Sequence, residues 1–271
     1  MSKGISLHLG LNAVDPRHYQ GWAGELMACE ADAGDMLLIA KSRGFTPKTL
    51  MTKEATRNAV LAEMAAAAKT LKSGDIFFLT YSGHGGQVPD ADGDESDGLD
   101  ETWCLFDGQL IDDEIFSSLA AFPAGVRIFV LSDSCHSGTV LKDAVLSEVA
   151  EVPATRYRAM PPDVVQRTYL ANKDFYDQIG TDPRHRGALE NVKASALLIS
   201  GCQDNQLSAD GAFNGRFTGT LKNIWNGGKF RGDYRKFHRS IVAKMPRDQT
   251  PNYFTVGQHS RTFEGEQPFK V

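Results

Sequence analysis

Two stretches constrain the fold before anything else does. Asp75–Tyr81 (DIFFLTY) and Val126–Asp133 (VRIFVLSD) are apolar almost throughout, not at every second position. A strand with one face in water alternates between apolar and polar residues, whereas a strand covered on both faces reads as a short continuous apolar run. Ala194–Ser200 (ASALLIS) is a third run of this kind, and Ile5–Leu11 alternates like a strand. Helical patterns lie between them. Glu25–Arg43 places Leu26, Cys29, Ala33, Met36, Leu37 and Ala40 at helical spacing, with Gly44 as a C-terminal stop. Lys53–Leu71 contains the strongly helix-forming AVLAEMAAAAKTL, with Thr52 as its expected N-cap. Later, Thr102–Phe106 reads as a short strand and Asp112–Ala121 as a short helix. Phe217–Asn226 and Tyr234–Lys244 read as helices, and Asn252–Val256 as a closing strand. Strands alternating with helices predict an α/β fold with a mainly parallel sheet covered on both faces.

Bulk properties narrow the class. At 271 residues, 41% of them hydrophobic, the chain can fill a proper core. Residues 90–101 (DADGDESDGLDE) carry −7 of a net charge of −5, leaving +2 (−5 + 7) for the rest. There is no basic stripe for nucleic acid, and the charge asymmetry is one loop. Cys29, Cys104, Cys135 and Cys202 are widely separated, with no C-x-x-C pair and no zinc-ligand spacing. No run approaches the 18 or so apolar residues of a membrane span, and MSKGISLHLGLNAV lacks the pattern of a signal peptide. The expectation is a globular protein of the reducing cytoplasm with no membrane partner. Leu146–Val192, with Pro153, Pro161, Pro162 and Pro183, is poorly periodic and reads as a mobile connector within one domain.

The chemistry lies where two buried strands end. In open parallel sheets, sites form outside the carboxyl ends of the strands. DIFFLTY runs into Ser82-Gly83-His84-Gly85-Gly86, and VRIFVLSD runs into Ser134-Cys135-His136-Ser137-Gly138. If the strands are neighbours, His84 and Cys135 face each other across one crevice. A thiol needs a base or a positive environment to become a nucleophilic thiolate, and histidine is the usual base. Flanking glycines let backbone N–H groups approach a carbonyl oxygen, as an oxyanion site requires. Seen alone, a cysteine at a strand end is more often a small buried apolar residue, and a histidine a satisfied polar one. Together, at matching strand ends, they favour catalysis.

YSGHGG with DSCHSG resembles the metacaspases and their prokaryotic relatives among the caspase-like cysteine peptidases (peptidase family C14). LHLGLNAV, MACEADAGDM, LFDGQLIDDEI and ISGCQDNQLSADG…GRFTGTL resemble further family segments in the expected order. The 51 residues from His84 to Cys135 (135 − 84) match the caspase spacing of about 50. The resemblance implies a caspase-like fold with a six-stranded, mostly parallel sheet flanked by helices. It implies one peptidase domain over residues 1–271, with a large-subunit-like part to about 145, a connector over about 146–193 and a small-subunit-like part over about 194–271. It also implies a cysteine endopeptidase with His84 as general base and Cys135 as nucleophile. Backbone N–H groups of Gly85 and Cys135 would bind the oxyanion, and no cofactor would be required for the chemistry. His136 follows the nucleophile, but its side chain is expected to point elsewhere.

Asp133 precedes the nucleophile by two residues and so shares its face of the strand end. Asp32, in the Cys29-x-x-Asp32 turn, matches a second specificity carboxylate of the family. Two carboxylates lining one pocket favour a cation between them, which predicts protein or peptide substrates with Arg or Lys before the scissile bond. Cys29 and Ser82 match other pocket-lining positions. The family further implies a monomeric zymogen that processes itself after a basic residue of the connector: Arg156, Arg158, Arg167, Lys173, Arg184 and Arg186 are all available. It also implies calcium activation, with Asp100, Asp112, Asp113 and Asp143 as candidate ligands, although Lys142 stands where the pattern has an aspartate. Activation by a regulatory protein partner stays open.

The acidic stretch supports a different class of reading, a calcium-binding regulatory module. Its acidic spacing resembles an EF-hand, but Glu95 stands where the loop needs glycine, and strand-like sequence flanks it on both sides. A catalytically inactive caspase-like scaffold is the other alternative, and the intact His84 and Cys135 argue against it. A zinc enzyme built on His84, Cys135 and His136 is weaker, since adjacent residues on a turn rarely converge on one metal. The loop is expected to border the crevice, where it would attract basic substrates.

Overall fold

The two apolar runs are adjacent strands. The structure, a computed structural model, describes residues 2–91, 93, 97–135, 157–202, 208–211 and 213–271. Strand β1 spans Gly4–Gly10, β2 Thr46–Met51, β3 Ile76–Ser82 and β7 Arg127–Asp133; β8 spans Ser195–Ser200 and β9 Asn252–Gly257. They form a six-stranded sheet in the order β2-β1-β3-β7-β8-β9. Every pairing is parallel except the last, where β8 and β9 run antiparallel. The expected mostly parallel six-stranded sheet is the one found. All seven residues of β3 are buried, which explains why its sequence shows no alternation.

Helices cover both faces. On one side, Leu7, Leu9, Phe77, Leu79, Ile128 and Val130 pack with α2 (Arg57–Thr70) and α3 (Asp112–Ala120). On the other, Phe78, Phe129 and Leu131 pack with α1 (Cys29–Ser42) and with two later helices, Arg216–Trp225 and Tyr234–Val242. Side chains at alternate positions of β3 thus enter opposite cores, the period-two geometry of a strand. The N-cap expected at Thr52 is instead Thr56, whose side chain accepts from the Ala59 N–H. Thr52 begins a short 3-10 turn with φ at +36°.

A second sheet stands beside the first. Strands β4 (Gly85–Pro89), β5 (Leu99–Leu105) and β6 (Gly108–Ile111) form an antiparallel ribbon. The Tyr81 ring stacks on Trp103 at 4.6 Å, pinning the ribbon to β3. The acidic stretch begins in the connection between β4 and β5 and ends inside β5, with Asp100 opposite Val88. Strands on both sides rule out an EF-hand, which needs helices there. The stretch read as an aperiodic connector is different from its expectation: it contains two helices, α4 (Pro162–Ala171) and α5 (Lys173–Gly180). The later helices are α6 (Arg216–Trp225), α7 (Tyr234–Val242) and α8 (Arg261–Glu264).

Candidate active site

Register brings the two chemical segments together. Ser82 at the end of β3 is paired with Asp133 at the end of β7. His84 and Cys135 therefore leave neighbouring strands at the same edge of the sheet, each two residues past the pairing. His84 is fixed from several sides. Its carbonyl accepts from the Tyr81 hydroxyl at 2.6 Å and from the Cys104 N–H at 2.9 Å. Its ring lies 4.7 Å from that of Trp22, and its Nε2 bonds the Gly24 carbonyl at 2.8 Å. A carbonyl can only accept, so Nε2 carries the proton and Nδ1 keeps a lone pair. Buried Nδ1 has no hydrogen-bond partner. Burial pushes His84 down to about 4, with the Gly24 carbonyl and the Ala159 backbone pulling weakly upward.

Gly24 is needed for this contact. It has φ +53°, and a Cβ there would meet the Trp22 ring at 2.8 Å and His84 Cδ2 at 3.0 Å. The sequence pattern singled out neither Trp22 nor Gly24.

The expected oxyanion donors converge on one oxygen. The N–H groups of Gly85 and Cys135 donate to the Arg158 carbonyl at 2.9 and 3.0 Å. Arg158 also donates its own N–H to the Ser208 carbonyl at 3.0 Å, and the Ser208 N–H donates to Cys135 Sγ. The Cys135 side chain is fully covered.

Arg158 carries its guanidinium into a pocket of carboxylates, where it is 0% exposed. It meets Asp32 at 2.7 Å, Asp210 at 2.9 Å and Asp133 at 3.0 Å, and donates to Ser82 Oγ at 2.7 Å. The carboxylates are themselves held. Asp133 accepts from Ser208 Oγ and from the N–H and hydroxyl of Thr218. Asp32 accepts from Asn214 and from the Gly215 N–H. Burial and the nearby Asp133 push the Asp32 carboxyl up, and Arg158 opposes them. Without a cation, charges buried this deeply are costly. A Cβ on Gly215 would lie 2.5 Å from the guanidinium, so the glycine leaves the room it occupies. Cys29 is buried beside the pocket, its thiol pushed up to about 12 by desolvation. Asp210 was present in the segment SADG but had no pattern to mark it as a pocket carboxylate.

The calcium candidates are only partly described. Asp112 and Asp113 begin α3, directly after β6, and the β5–β6 register places Asp100 near them. Among the described residues, no three His, Cys, Asp or Glu side chains are grouped to hold a metal. Asp143, His136 and Arg156 lie outside the described residues. The acidic connection was expected to border the crevice, and its residues 92 and 94–96 lie outside the described residues. It opens at the Pro89 end of β4, ~13 Å along the strand from Gly85. Ala91 there lies against Gly180 at the end of α5.

A parallel sheet bearing Cys and His at neighbouring carboxyl edges, with paired N–H donors aimed at one carbonyl, defines the class of cysteine peptidases with a caspase fold. Comparison with known proteins agrees. The caspase-domain family model matches residues 13–263, and the chain belongs to that family of cysteine peptidases. Metacaspase-1 of Schizosaccharomyces pombe is 30% identical over 266 residues, covering 80% of this chain and 57% of that protein. Metacaspase-1 of Mycosarcoma maydis is also 30% identical, over 250 residues, covering 79% of this chain and 59% of its own. The chain thus spans a little over half the length of these relatives. A solved protein of Geobacter sulfurreducens is 60% identical with a TM-score of 0.90, covering 99% of both chains. Caspase-1 of Spodoptera frugiperda shares the fold at 11% identity, with a TM-score of 0.55 over 98% of this chain and 92% of its own. Among the described residues, no helix is long and apolar enough to cross a membrane.

Proposed function

We propose that this chain is a cysteine endopeptidase that cuts after Arg, and more slowly after Lys, using Cys135 as nucleophile and His84 as base. One observation carries the reading. A single residue, Arg158, has its carbonyl oxygen on the Gly85 and Cys135 N–H groups while its guanidinium sits among Asp32, Asp133 and Asp210. A substrate residue would need both contacts at once. The planar guanidinium meets several carboxylates at fixed angles, whereas the lysine ammonium is a point charge on a flexible stem, so Arg is the better fit.

The chemistry follows from the positions. His84 Nδ1 takes the Cys135 proton, and the sulfur attacks the carbonyl carbon to form a C–S bond. Negative charge gathers on the oxygen held by the two N–H groups. The His84 proton passes to the leaving nitrogen as the C–N bond breaks. Water then cleaves the thioester, releasing the new carboxylate and restoring the thiol. Besides residues of the chain, only the substrate and water take part in these steps.

Finer expectations belong to the same reading: a monomer in the cytoplasm, made as a self-processing zymogen, without nucleic-acid or membrane partners. Calcium activation through Asp100, Asp112, Asp113 and Asp143, or activation by a protein partner, is also part of it. Chelation with EGTA tests the calcium element: unchanged rates discard it. For the catalytic roles, Cys135→Ala and His84→Gln should each lower hydrolysis of a fluorogenic Arg peptide on the order of 10³-fold or more. Activity retained in either variant would reject its assignment.

A further inference from the structure

The residue filling the candidate pocket belongs to the chain itself, and the backbone on both sides of it is bound as well. Tyr157 pairs antiparallel with Ala209, and Ala159 pairs in parallel with Gly85. The Met160 N–H donates to the Gly85 carbonyl at 2.8 Å. Tyr157–Met160 is therefore an added strand, held by main-chain bonds from residues 208–209 on one side and from the start of β4 on the other. Extended peptides are commonly recognised this way, with main-chain bonds holding them and pockets reading the side chains.

The pockets beyond Arg158 are specific. Ala159 is buried, 4% exposed, against Cys135 and Cys202. Met160 is 1% exposed and buried with Val14, Tyr19, Cys104 and Val164. Gly86 leaves the room it needs: a Cβ there would lie 2.6 Å from the Met160 methyl. By contrast Arg167, Lys173, Arg184 and Arg186, the other described basic residues of the connector, are on or near the surface.

We infer that Tyr157–Met160 is docked as this enzyme's own first substrate, that the bond cut is Arg158–Ala159, and that a small residue followed by an apolar one is preferred after the scissile bond. The inference rests on the peptidase reading above. The carbonyl of Arg158 is the one held by the Gly85 and Cys135 N–H groups, so its carbon is the atom attacked. The C–N bond to Ala159 breaks, the Ala159 nitrogen receives the proton from His84, and water frees the Arg158 carboxylate from the thioester. Until then, the segment excludes other substrates from a fully covered Cys135.

Intact mass and N-terminal sequencing of the purified chain test this beside an Arg-peptide assay. Wild type should yield fragments 1–158 and 159–271, the second beginning AMPP, and Cys135→Ala should remain one chain. Ala159→Pro keeps Arg158 and both bonds to Gly85, since the Ala159 N–H serves neither. It should stay uncut and hydrolyse the peptide at least tenfold more slowly than wild type. Arg158→Gln should hydrolyse the peptide without first being cut. A peptide library should favour Arg-Ala-Met over Arg-Glu-Glu across the scissile bond by tenfold or more. Cleavage at another basic residue with Arg158–Ala159 intact overturns the inference while leaving the peptidase reading in place. So does an intact, silent wild type beside an active Arg158→Gln, which would make the segment a plug and not a substrate. If neither wild type nor Arg158→Gln cuts Arg peptides, the peptidase reading itself falls.

Discussion

Two regions of this molecule are rich in carboxylates, and they behave in opposite ways. The stretch 90–101 concentrates its charge in sequence, and around the β4–β5 connection it spends it on local turns: Asp90 accepts from the Gly93 N–H and Asp97 from the Leu99 N–H. Asp32, Asp133 and Asp210 are far apart in sequence, yet converge on one buried guanidinium. Charges in water are screened within about 8–10 Å, whereas buried ones are not. Three aspartates far apart in sequence can thus be brought to act on one charge.

That contrast can be attacked from the pocket side first. Removing one partner of a desolvated, hydrogen-bonded charge pair typically costs 2–5 kcal/mol. Asp32→Asn or Asp133→Asn should therefore lower kcat/KM for an Arg peptide on the order of a hundredfold. Both carboxylates are held in place, Asp133 by Thr218 and Ser208 and Asp32 by Asn214, Gly215 and Ser82. A change under fivefold in both variants would show that the carboxylates do not select the substrate.

Burial also separates the histidines from their ordinary behaviour. His84 is pushed down to about 4 and His8 to about 3, in both cases chiefly by desolvation. Their folded values lie below the unfolded value near 6.5, so the unfolded chain binds more protons in between. Stability present above pH 6.5 is accordingly lost as pH falls toward 4 and 3. Each group accounts for about 2 kcal/mol by pH 5. Denaturant unfolding of uncut Cys135→Ala at pH 7.5 and 5.0 measures this, and His8→Gln should remove part of the difference. A pH-independent midpoint would contradict the burial argument.

A subtler change tests the shape of the pocket. Gly215→Ala places a methyl against the guanidinium position, and overpacking of this kind costs about 1–3 kcal/mol. The variant should lose roughly tenfold on Arg peptides, mostly in KM, and lose less on Lys peptides, whose head is slimmer. The smallest effect is expected from the loop. Asp90→Asn with Asp97→Asn should alter peptide hydrolysis by less than about twofold, with the residue of the effect abolished at high salt. A tenfold effect there would support the expected substrate-attracting role of the loop.

How much of this was legible depends on what each segment must bury. Strands β3 and β7 are apolar throughout because both faces are covered, so their sequences announce them. Strand β2 does not: Thr46 and Lys48 are exposed at the sheet edge, and Pro47 breaks the strand signal. Strands β4 and β6 were hidden for another reason. Gly85-Gly86 and Gly108 weaken any propensity, and the ribbon exists only because it docks on Tyr81 and the α2–α3 side of the core. Helices α4 and α5 were obscured by the prolines before them, although Pro162 starts α4, where a missing N–H costs nothing.

The site divides in the same way. His84 and Cys135 were visible because strand ends and flanking glycines are local features. Arg158 stood among six basic connector residues, and nothing local distinguishes it. Only the sheet register, the ribbon and residues 208–215 together turn it into the occupant of a pocket. Asp210 and Gly215 share that fate, since their roles are defined by what approaches them.

The central claim is that a buried carboxylate pocket, beside the Cys135–His84 edge of the sheet, selects a cation before the scissile bond. It is tested most directly with two fluorogenic peptides identical except for Arg or Asp at that position, assayed on the same enzyme preparation. The account predicts hydrolysis of the Arg peptide at least a hundredfold faster, with Asp133→Asn shrinking the ratio. Equal rates, or faster cleavage of the Asp peptide, would contradict it.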